Sequence, residues 1–555
     1  MSNVRVRPHP QTARPKSRWC MRTLSLIVGL GAALVTDVTA ARAEQFVSSL
    51  ESTLVKTKSG PLIGAKQAGV FSYLGVPYAK AERFMPPTEV APWEAVRPAV
   101  TYGESCFIPT MQSVAGDELF NPHRYMPMSE DCQFLNIWTP GINDAAKRPV
   151  MVWIHGGGFT NGSGIEQLAY DGTNLSKKGD VVVVTLNHRL NVLGFLDLSA
   201  YSDAYKYSGN ASNADLVAAL KWVNANLEAF GGDPDNVTIF GQSGGGYKVR
   251  ALMGTPAAKG LFHKAIVQSG ARVSSVTDQA SARKVAELTI ANLGLTKEKI
   301  DEIKTVDYST LLAAAEKALK QATEQGAKDA RWAPVLDGDY IPADPVGEAW
   351  VEQAKDIPLL IGNTLNEFET IITKKPADLV ADNKKKWTEE KARSKLKERF
   401  SGKAEAVGKA FLEAYPEKTL ADAFFVDMRF RPGTVRDADL KAKQAGAPVY
   451  SYMFTWESPV MDGIGMAWHC AELPHIFANA ELVKTATGGG DDAIALSDKM
   501  SRAWINFART GNPNAEGLPD WPAYTTEQGA TMIFDNSSRI ANHPDRKLLE
   551  AAGAM

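Results

Sequence analysis

A surplus of charge of either sign is absent from this chain: 61 Lys and Arg stand against 63 Asp and Glu, a formal net charge of −2 over 555 residues. So balanced a composition offers no general field for nucleic acid or for an anionic membrane. Cysteine is scarce, at four residues: Cys20, Cys106, Cys132 and Cys470. Cys106 and Cys132 enclose a modest loop and form the natural pair, which leaves Cys470 as a free thiol beside His469. Internal repeats and low-complexity tracts are also missing. What remains is ordinary globular material, 44% hydrophobic, enough for a large buried core.

Near the N-terminus, residues 24–35 form an apolar run about 12 long, short of the roughly 18 needed to span a bilayer. Arg5, Arg7, Arg14, Lys16, Arg18 and Arg22 precede it, and Ala41-Arg42-Ala43 follows as an A-x-A cleavage site. This pattern predicts a signal peptide over 1–43, a mature chain from Glu44, and an exported protein, periplasmic or secreted, with no membrane anchor left. No Arg-Arg pair supports twin-arginine export. Met21 begins a compact signal by itself. Export makes disulfides possible.

From residue 54 onward, short apolar runs alternate with longer helical patterns. Residues 150–154, 181–186, 237–240, 265–267, 358–361 and 449–454 read as strands, mostly flanked by Gly, Pro, Asn or Asp. Residues 214–230 read as a helix stopped at Gly231-Gly232-Asp233-Pro234. The alternation predicts an α/β fold with a mostly parallel central sheet and helices on both faces. Residues 54–78, with Ser59-Gly60 between apolar stretches, read as an antiparallel hairpin on the sheet edge. Residues 372–445 are rich in charge and poor in strand signals, as a helical insertion with a solvated face would be. The organisation expected is one catalytic domain over 44–555.

Within that frame, Val237-Thr238-Ile239 leads into Gly241-Gln242-Ser243-Gly244-Gly245, the Gly-x-Ser-x-Gly pattern of a nucleophile elbow. A serine in so sharp a turn needs neighbours without a bulky Cβ, so that strand and helix can pass closely. The strand candidate 150–154 runs into His155-Gly156-Gly157-Gly158-Phe159, whose glycines let backbone N–H groups approach an oxyanion together with the N–H of Gly244. A phosphate loop is the rival reading of these glycines, but no Gly-Lys-Ser/Thr follows them.

The base should lie downstream, after the acid. His469, His475 and His543 are the downstream histidines; His469 follows a strand-like run and a Gly-containing loop, where a triad base belongs. His469, Cys470, Glu472 and His475 also invite a zinc reading, but Pro474 breaks the helix that such spacings need. No metal and no organic cofactor are called for. Residues 358–361 are the later strand, and the loop after it carries Glu367, the best acid, with Glu369 and Asp462 behind it.

With these pieces placed, the chain resembles the type-B carboxylesterase (cholinesterase-like) family over nearly all of its mature length, as a bacterial para-nitrobenzyl-esterase-like member. The marks are Leu74-Gly75-Val76-Pro77-Tyr78-Ala79, Arg83-Phe84, the run from Glu130-Asp131-Cys132 to Ile137-Trp138, Trp153-Ile154-His155-Gly156-Gly157-Gly158-Phe159, Gly231-Gly232-Asp233-Pro234 and Gln268-Ser269-Gly270. The resemblance implies an α/β-hydrolase fold and a Ser243, Glu367, His469 triad, with an oxyanion hole of Gly157, Gly158 and Gly244. It also implies a supporting hydrogen bond from Ser269 and a Cys106–Cys132 disulfide at the mouth of a gorge. Gln242, Gly244 and Cys470 depart from the family's usual Glu, Ala and Gly, and Ser212-Asn213-Ala214-Asp215-Leu216 departs from its Gly-Leu-x-Asp-Gln. The loop 107–131 holds no Trp, so the indole that binds quaternary ammonium in choline esterases is absent. Small-molecule ester hydrolysis is thus the expected activity. Amides or carbamates are alternative substrates of the same apparatus, and a non-catalytic binding role is the alternative of another class. Met111, Met126, Met128, Phe159, Met461, Met466 and Trp468 are candidates for the gorge lining.

Overall fold

β-branched and aromatic residues dominate the apolar runs of the chain, and in the computed structural model they assemble into one eleven-stranded sheet. The structure describes residues 45–109, 116–272, 274–347, 352–370 and 373–555. The expected signal peptide, Cys20 and Met111 lie outside the described residues. In chain order the strands of the sheet are β1 (Ala65–Gln67), β2 (Val70–Pro77), β3 (Phe134–Thr139), β4 (Arg148–Ile154), β5 (Val182–Leu186) and β6 (Gly232–Gln242). They continue with β7 (Lys264–Gln268), β8 (Leu359–Thr364), β9 (Val449–Phe454), β10 (Ala530–Phe534) and β11 (Arg539–Asn542). Their spatial order is β11-β10-β9-β8-β7-β6-β4-β5-β3-β2-β1.

Strands β4 to β10 pair in parallel, and antiparallel pairs close both ends. Every residue of β5, β7, β8, β9 and β10 is buried, as a parallel sheet covered on both faces requires. The six strands read from sequence all belong to this sheet. Three others, β3, β10 and β11, were not in that reading. β3 carries a buried Asn136 in its middle, which accepts from Gly75 N at 3.0 Å and donates to Thr185 Oγ1 at 3.0 Å. A polar residue satisfied across the sheet costs little there, yet it interrupts the apolar pattern.

The antiparallel edge lies within the expected span 54–78, but its hairpin is not the one that turns at Ser59-Gly60. Leu54–Lys56 and Pro61–Ile63 do pair antiparallel, but in a separate small sheet with Arg97–Pro98. The edge of the large sheet is instead the β1–β2 hairpin.

Four helices matter for the site: α1 (Ala211–Asn226), α2 (Gly244–Met253), α3 (Arg431–Ala442) and α4 (Asp491–Thr510). After α1 the chain continues as a 3-10 turn over Leu227–Phe230 and stops at Gly231, whose φ of 71° is the left-handed value that favours glycine. Within 373–445 the described elements are all helical, ending in α3, which lies on β8 and β9. Its charges are not all solvated. Lys384 is buried and pairs with Asp422 and Glu457. A second helical excursion, with Gln279–Asn292 packed on Tyr308–Glu324, separates β7 from β8 and carried no special signal in the sequence.

Candidate active site

Strand β6 ends at Gln242, and Ser243 takes φ 55° and ψ −123° before α2 begins. So strained a value at a non-glycine residue is found where the surroundings hold it in place. Ser243 N donates to Gln268 O at 2.8 Å, which ties the turn to the end of β7. The glycines on either side are demanded by contact. A Cβ on Gly241 would sit 2.6 Å from Ile154 O and from Gly245 C, and one on Gly245 would sit 1.9 Å from Ile154 O. Strand β4 therefore runs directly under the turn, and only glycine fits at both positions.

The same strand delivers the glycine loop. Gly157 and Gly158 hold φ values of 78° and 63°, and Gly157 O accepts from Asn161 N at 2.9 Å. A Cβ on Gly244 would meet Gly158 O at 2.2 Å and Gly158 N at 2.5 Å, so the backbone after Ser243 abuts the loop. A Cβ on Gly156 would lie 3.5 Å from Ser243 Cβ. Gly156, Gly158 and Gly244, on two separate elements, thus bring their backbones to one place beside a serine.

Glu367 and His469 are also brought together. His469 Nδ1 is hydrogen-bonded to Glu367 Oε2, and His469 N donates to Glu367 O at 3.0 Å. Glu367 is fully buried and His469 is 3% exposed. The other carboxylate oxygen, Oε1, accepts from Ser269 Oγ at 2.6 Å and from Thr364 N at 2.9 Å. A carboxylate so satisfied stays fixed and orients the ring. His469 Nε2 is buried with no hydrogen-bond partner. On the ring's face, Phe368 stacks at 4.0 Å between centroids and Phe430 lies at 5.3 Å. The serine and histidine loops are held side by side, because Cys470 Sγ donates to Gln242 Oε1 at 3.4 Å. Cys470 itself takes φ 94°, left-handed backbone at a position where the family usually has glycine.

The runners-up are placed elsewhere. Glu369 faces Arg399 and Arg429, and Asp462 sits in the turn Val460–Gly463. His543 is bound to Glu527 O. His475 packs on Phe454 and Trp456, and burial pulls it down to about 4, so it is neutral in the core. The two rings of the zinc reading thus sit in different surroundings, and among the described residues no three His, Cys, Asp or Glu side chains gather as a metal site. Cys106 and Cys132 form a disulfide. Of the gorge candidates, Phe159, Met466 and Trp468 are buried, whereas Met128 and Met461 are about 43% exposed.

Burial concentrates carboxylates around Glu367. Glu472 is pushed up to about 7 by burial and then by the charge of Glu367; its Oε1 accepts from Gln268 Nε2 at 3.2 Å. Asp427 is pushed up to about 7 for the same two reasons, while it caps α3 by accepting from the N–H groups of Arg429, Phe430 and Arg431. Ser212 and Asp215, on the divergent segment of α1, bond to His188 Nδ1 at 2.9 Å and to Arg189 at 2.7 Å.

Phe368, Thr364 and Lys248 escaped the sequence reading. Phe368 had a usable signal, since it directly follows the candidate acid. Lys248 had none beyond being a cation five residues after the serine. A cavity of about 1420 Å³, lined by none of Ser243, Glu367 and His469, lies between the helical insertion and Trp456, where Lys384 pairs with Asp422 and Glu457 and Lys418 with Glu457.

The profile of the Carboxylesterase family matches residues 51–551. The para-nitrobenzyl esterase of Bacillus subtilis (strain 168) is 38% identical over 501 residues, covering 89% of this chain and 96% of that protein. The phenmedipham hydrolase of Pseudarthrobacter oxydans is 32% identical over 502 residues, covering 88% and 96%. Among solved structures, an esterase from Clostridium hathewayi that can hydrolyse aliphatic aromatic polyesters superposes with a TM-score of 0.85 at 42% identity, over 92% of this chain and 99% of that one. A thermophilic para-nitrobenzyl esterase superposes at 0.73 and 34%, over 90% and 100%. With an α/β-hydrolase sheet and matches along nearly its whole length, this chain belongs to the carboxylesterase family.

Proposed function

We propose that this protein is an exported serine hydrolase that cleaves carboxylic esters through an acyl-enzyme, with Ser243, His469 and Glu367 as its triad. The observation that carries the reading is the buried Glu367–His469 pair, joined by the Cys470–Gln242 contact to a strained Ser243. In this reading His469 Nε2 takes the Ser243 proton as Oγ attacks the ester carbonyl. The tetrahedral oxyanion lies against the N–H groups of Gly157, Gly158 and Gly244, each worth about 10²–10³ in rate by the usual cost of losing such a donor. His469 then protonates the departing alcohol, and water activated by the same nitrogen releases the acid. Glu367, held by Ser269 and Thr364, keeps the imidazole in the tautomer with its proton on Nδ1 and stabilises the cation.

Export is supported by the basic leader, the short apolar run and the A-x-A site, and it is compatible with the Cys106–Cys132 disulfide. N-terminal sequencing of the protein recovered from periplasm or medium should begin at Glu44. For substrates, para-nitrobenzyl esters and aliphatic–aromatic polyesters are the first to try, since relatives are named for acting on them. Ser243→Ala should abolish hydrolysis of short p-nitrophenyl esters, and a fluorophosphonate should add its mass at Ser243 in the native enzyme alone. Equal turnover by the two proteins would remove Ser243 from the mechanism.

A further inference from the structure

Lys248 is the fifth residue of α2, five positions beyond Ser243, and is 1% exposed. A buried ammonium is costly unless its protons find acceptors. Here they find the glycine loop: Nζ donates to His155 O at 3.0 Å and approaches Gly156 O at 3.5 Å. His155 Nδ1 lies 3.0 Å from the same Gly156 O. A carbonyl can only accept, so Nδ1 carries the proton of that ring. The carbonyl of Gly156 and the N–H of Gly157 belong to one peptide unit. A donor, and above all a charged one, on the carbonyl end polarises the N–H at the other end.

We propose that Lys248 is a positioning residue for the oxyanion-facing loop, holding and polarising the Gly156–Gly157 peptide so that the Gly157 N–H is aimed and strengthened toward the developing oxyanion. The inference rests on the reading of Gly157 as an oxyanion donor. It assigns work to a cation that the triad mechanism leaves unused, and one helix then carries both the Gly244 N–H and the ammonium that braces the opposite wall.

The groups around Lys248 make this brace sensitive to pH. Burial pulls its ammonium down to about 7, and the charge of half-buried Glu166 opposes that pull. His155 from the loop after β4 and His188 from the loop after β5 stack on each other at 4.7 Å between centroids. Both are pushed well below the ordinary histidine value, first by burial and then by the charge of Lys248. They are therefore neutral while the lysine is charged. His123 and Asp117 act on Glu166 in opposite senses. Raising the pH through the lysine's range removes the charge and weakens the donor on the loop.

The test is kinetic, on the full mature protein with a soluble p-nitrophenyl ester. Titration of the native enzyme with a fluorophosphonate first establishes Ser243 as the reacting group; failure there defeats the proposed function itself, not this inference alone. Lys248→Met should then lower kcat about tenfold at pH 7 with KM within twofold, and should weaken a trifluoromethyl ketone inhibitor by the same factor, because both losses come from one oxyanion donor. Native kcat should decline as pH rises above about 7, and that decline should vanish in Lys248→Met. Glu166→Gln should move the decline to lower pH. A Lys248→Met enzyme with native kcat and native inhibitor affinity overturns the proposal, as does one in which KM rises while the alkaline decline persists. If Lys248→Met does not fold, Glu166→Gln decides: a decline moved to lower pH supports the proposal, and an unmoved one overturns it.

Discussion

Ser269 shows how much a single hydroxyl can hold in this protein. Its Oγ donates to Glu367 Oε1 at 2.6 Å, and both side chains are fully buried. A hydrogen bond to a buried carboxylate is worth about 1.5–3 kcal/mol, so its loss loosens the group that orients His469. Ser269→Ala should therefore lower kcat about tenfold or more while leaving KM near native, as steady-state kinetics on one ester would measure. Glu472 poses the opposite problem, a carboxyl whose buried Oε2 has no partner. Its folded pKa of about 7 stands above the ordinary carboxylate value, so the folded state binds a proton more tightly than the unfolded chain. Stability from this group is present below the unfolded value near 4.5 and is lost as pH rises through about 7. Full ionisation above pH 7 costs about 3 kcal/mol as an upper figure, from 1.36 kcal/mol per unit. Glu472→Gln should raise Tm more at pH 8 than at pH 5. A larger gain at pH 5 would show that the carboxyl is ionised in the fold throughout.

Among the elements, the junction of β6 and α2 carries the tightest constraint. Gly241 and Gly245 both press on Ile154 O, so the spacing of Gly-x-Ser-x-Gly records how close β4 passes beneath the turn. Gly245→Ala, with its methyl 1.9 Å from that oxygen, should push α2 off the sheet. The expected result is an insoluble or inactive protein, whereas Gly260→Ala, at a site with open space, should cost at most about 1–2 kcal/mol for its left-handed backbone. A thermal melt of the two variants compares them. This junction was legible in the sequence because a motif of fixed spacing and a steric requirement coincide in it. Lys248 was not legible, because its role arises from contact with the loop after β4, a segment far away in the chain; Phe368 was marked only by its place after Glu367, its histidine neighbour lying about a hundred residues later. The pairing of Glu367 with His469 was readable from sequence; the rings of Phe368 and Phe430 against the imidazole were not.

For the molecule as a whole, the parallel core was readable from its β-branched runs, and the edges were not. β3 hides behind Asn136, and β10 and β11 lie near the end of the chain, beyond the segments that the alternating pattern marked. The Cys106–Cys132 disulfide closes a loop of 26 residues, which in the chain-entropy account restricts the unfolded state by about 3 kcal/mol. Cys106→Ser with Cys132→Ser should lower Tm by a few degrees, as calorimetry would read, without changing kcat. Reduction that left Tm unaltered would mean that the bond does not stabilise the fold through the unfolded chain.

The helical insertion has a further consequence. Its last stretch is fastened to the loop that carries Glu367: Asp427 N donates to Leu365 O at 2.8 Å, Asn366 Nδ2 donates to Phe425 O at 3.1 Å, and Glu369 faces Arg399. Gly433 lies so close to Ala271 O that a methyl there would be 1.5 Å away. The insertion is thus no interchangeable cassette. An engineer who grafts a relative's version to alter what the enzyme accepts would also reset the backbone beneath Glu367, and a transplant that keeps turnover must carry residues 365–369 and 425–433 across as one unit.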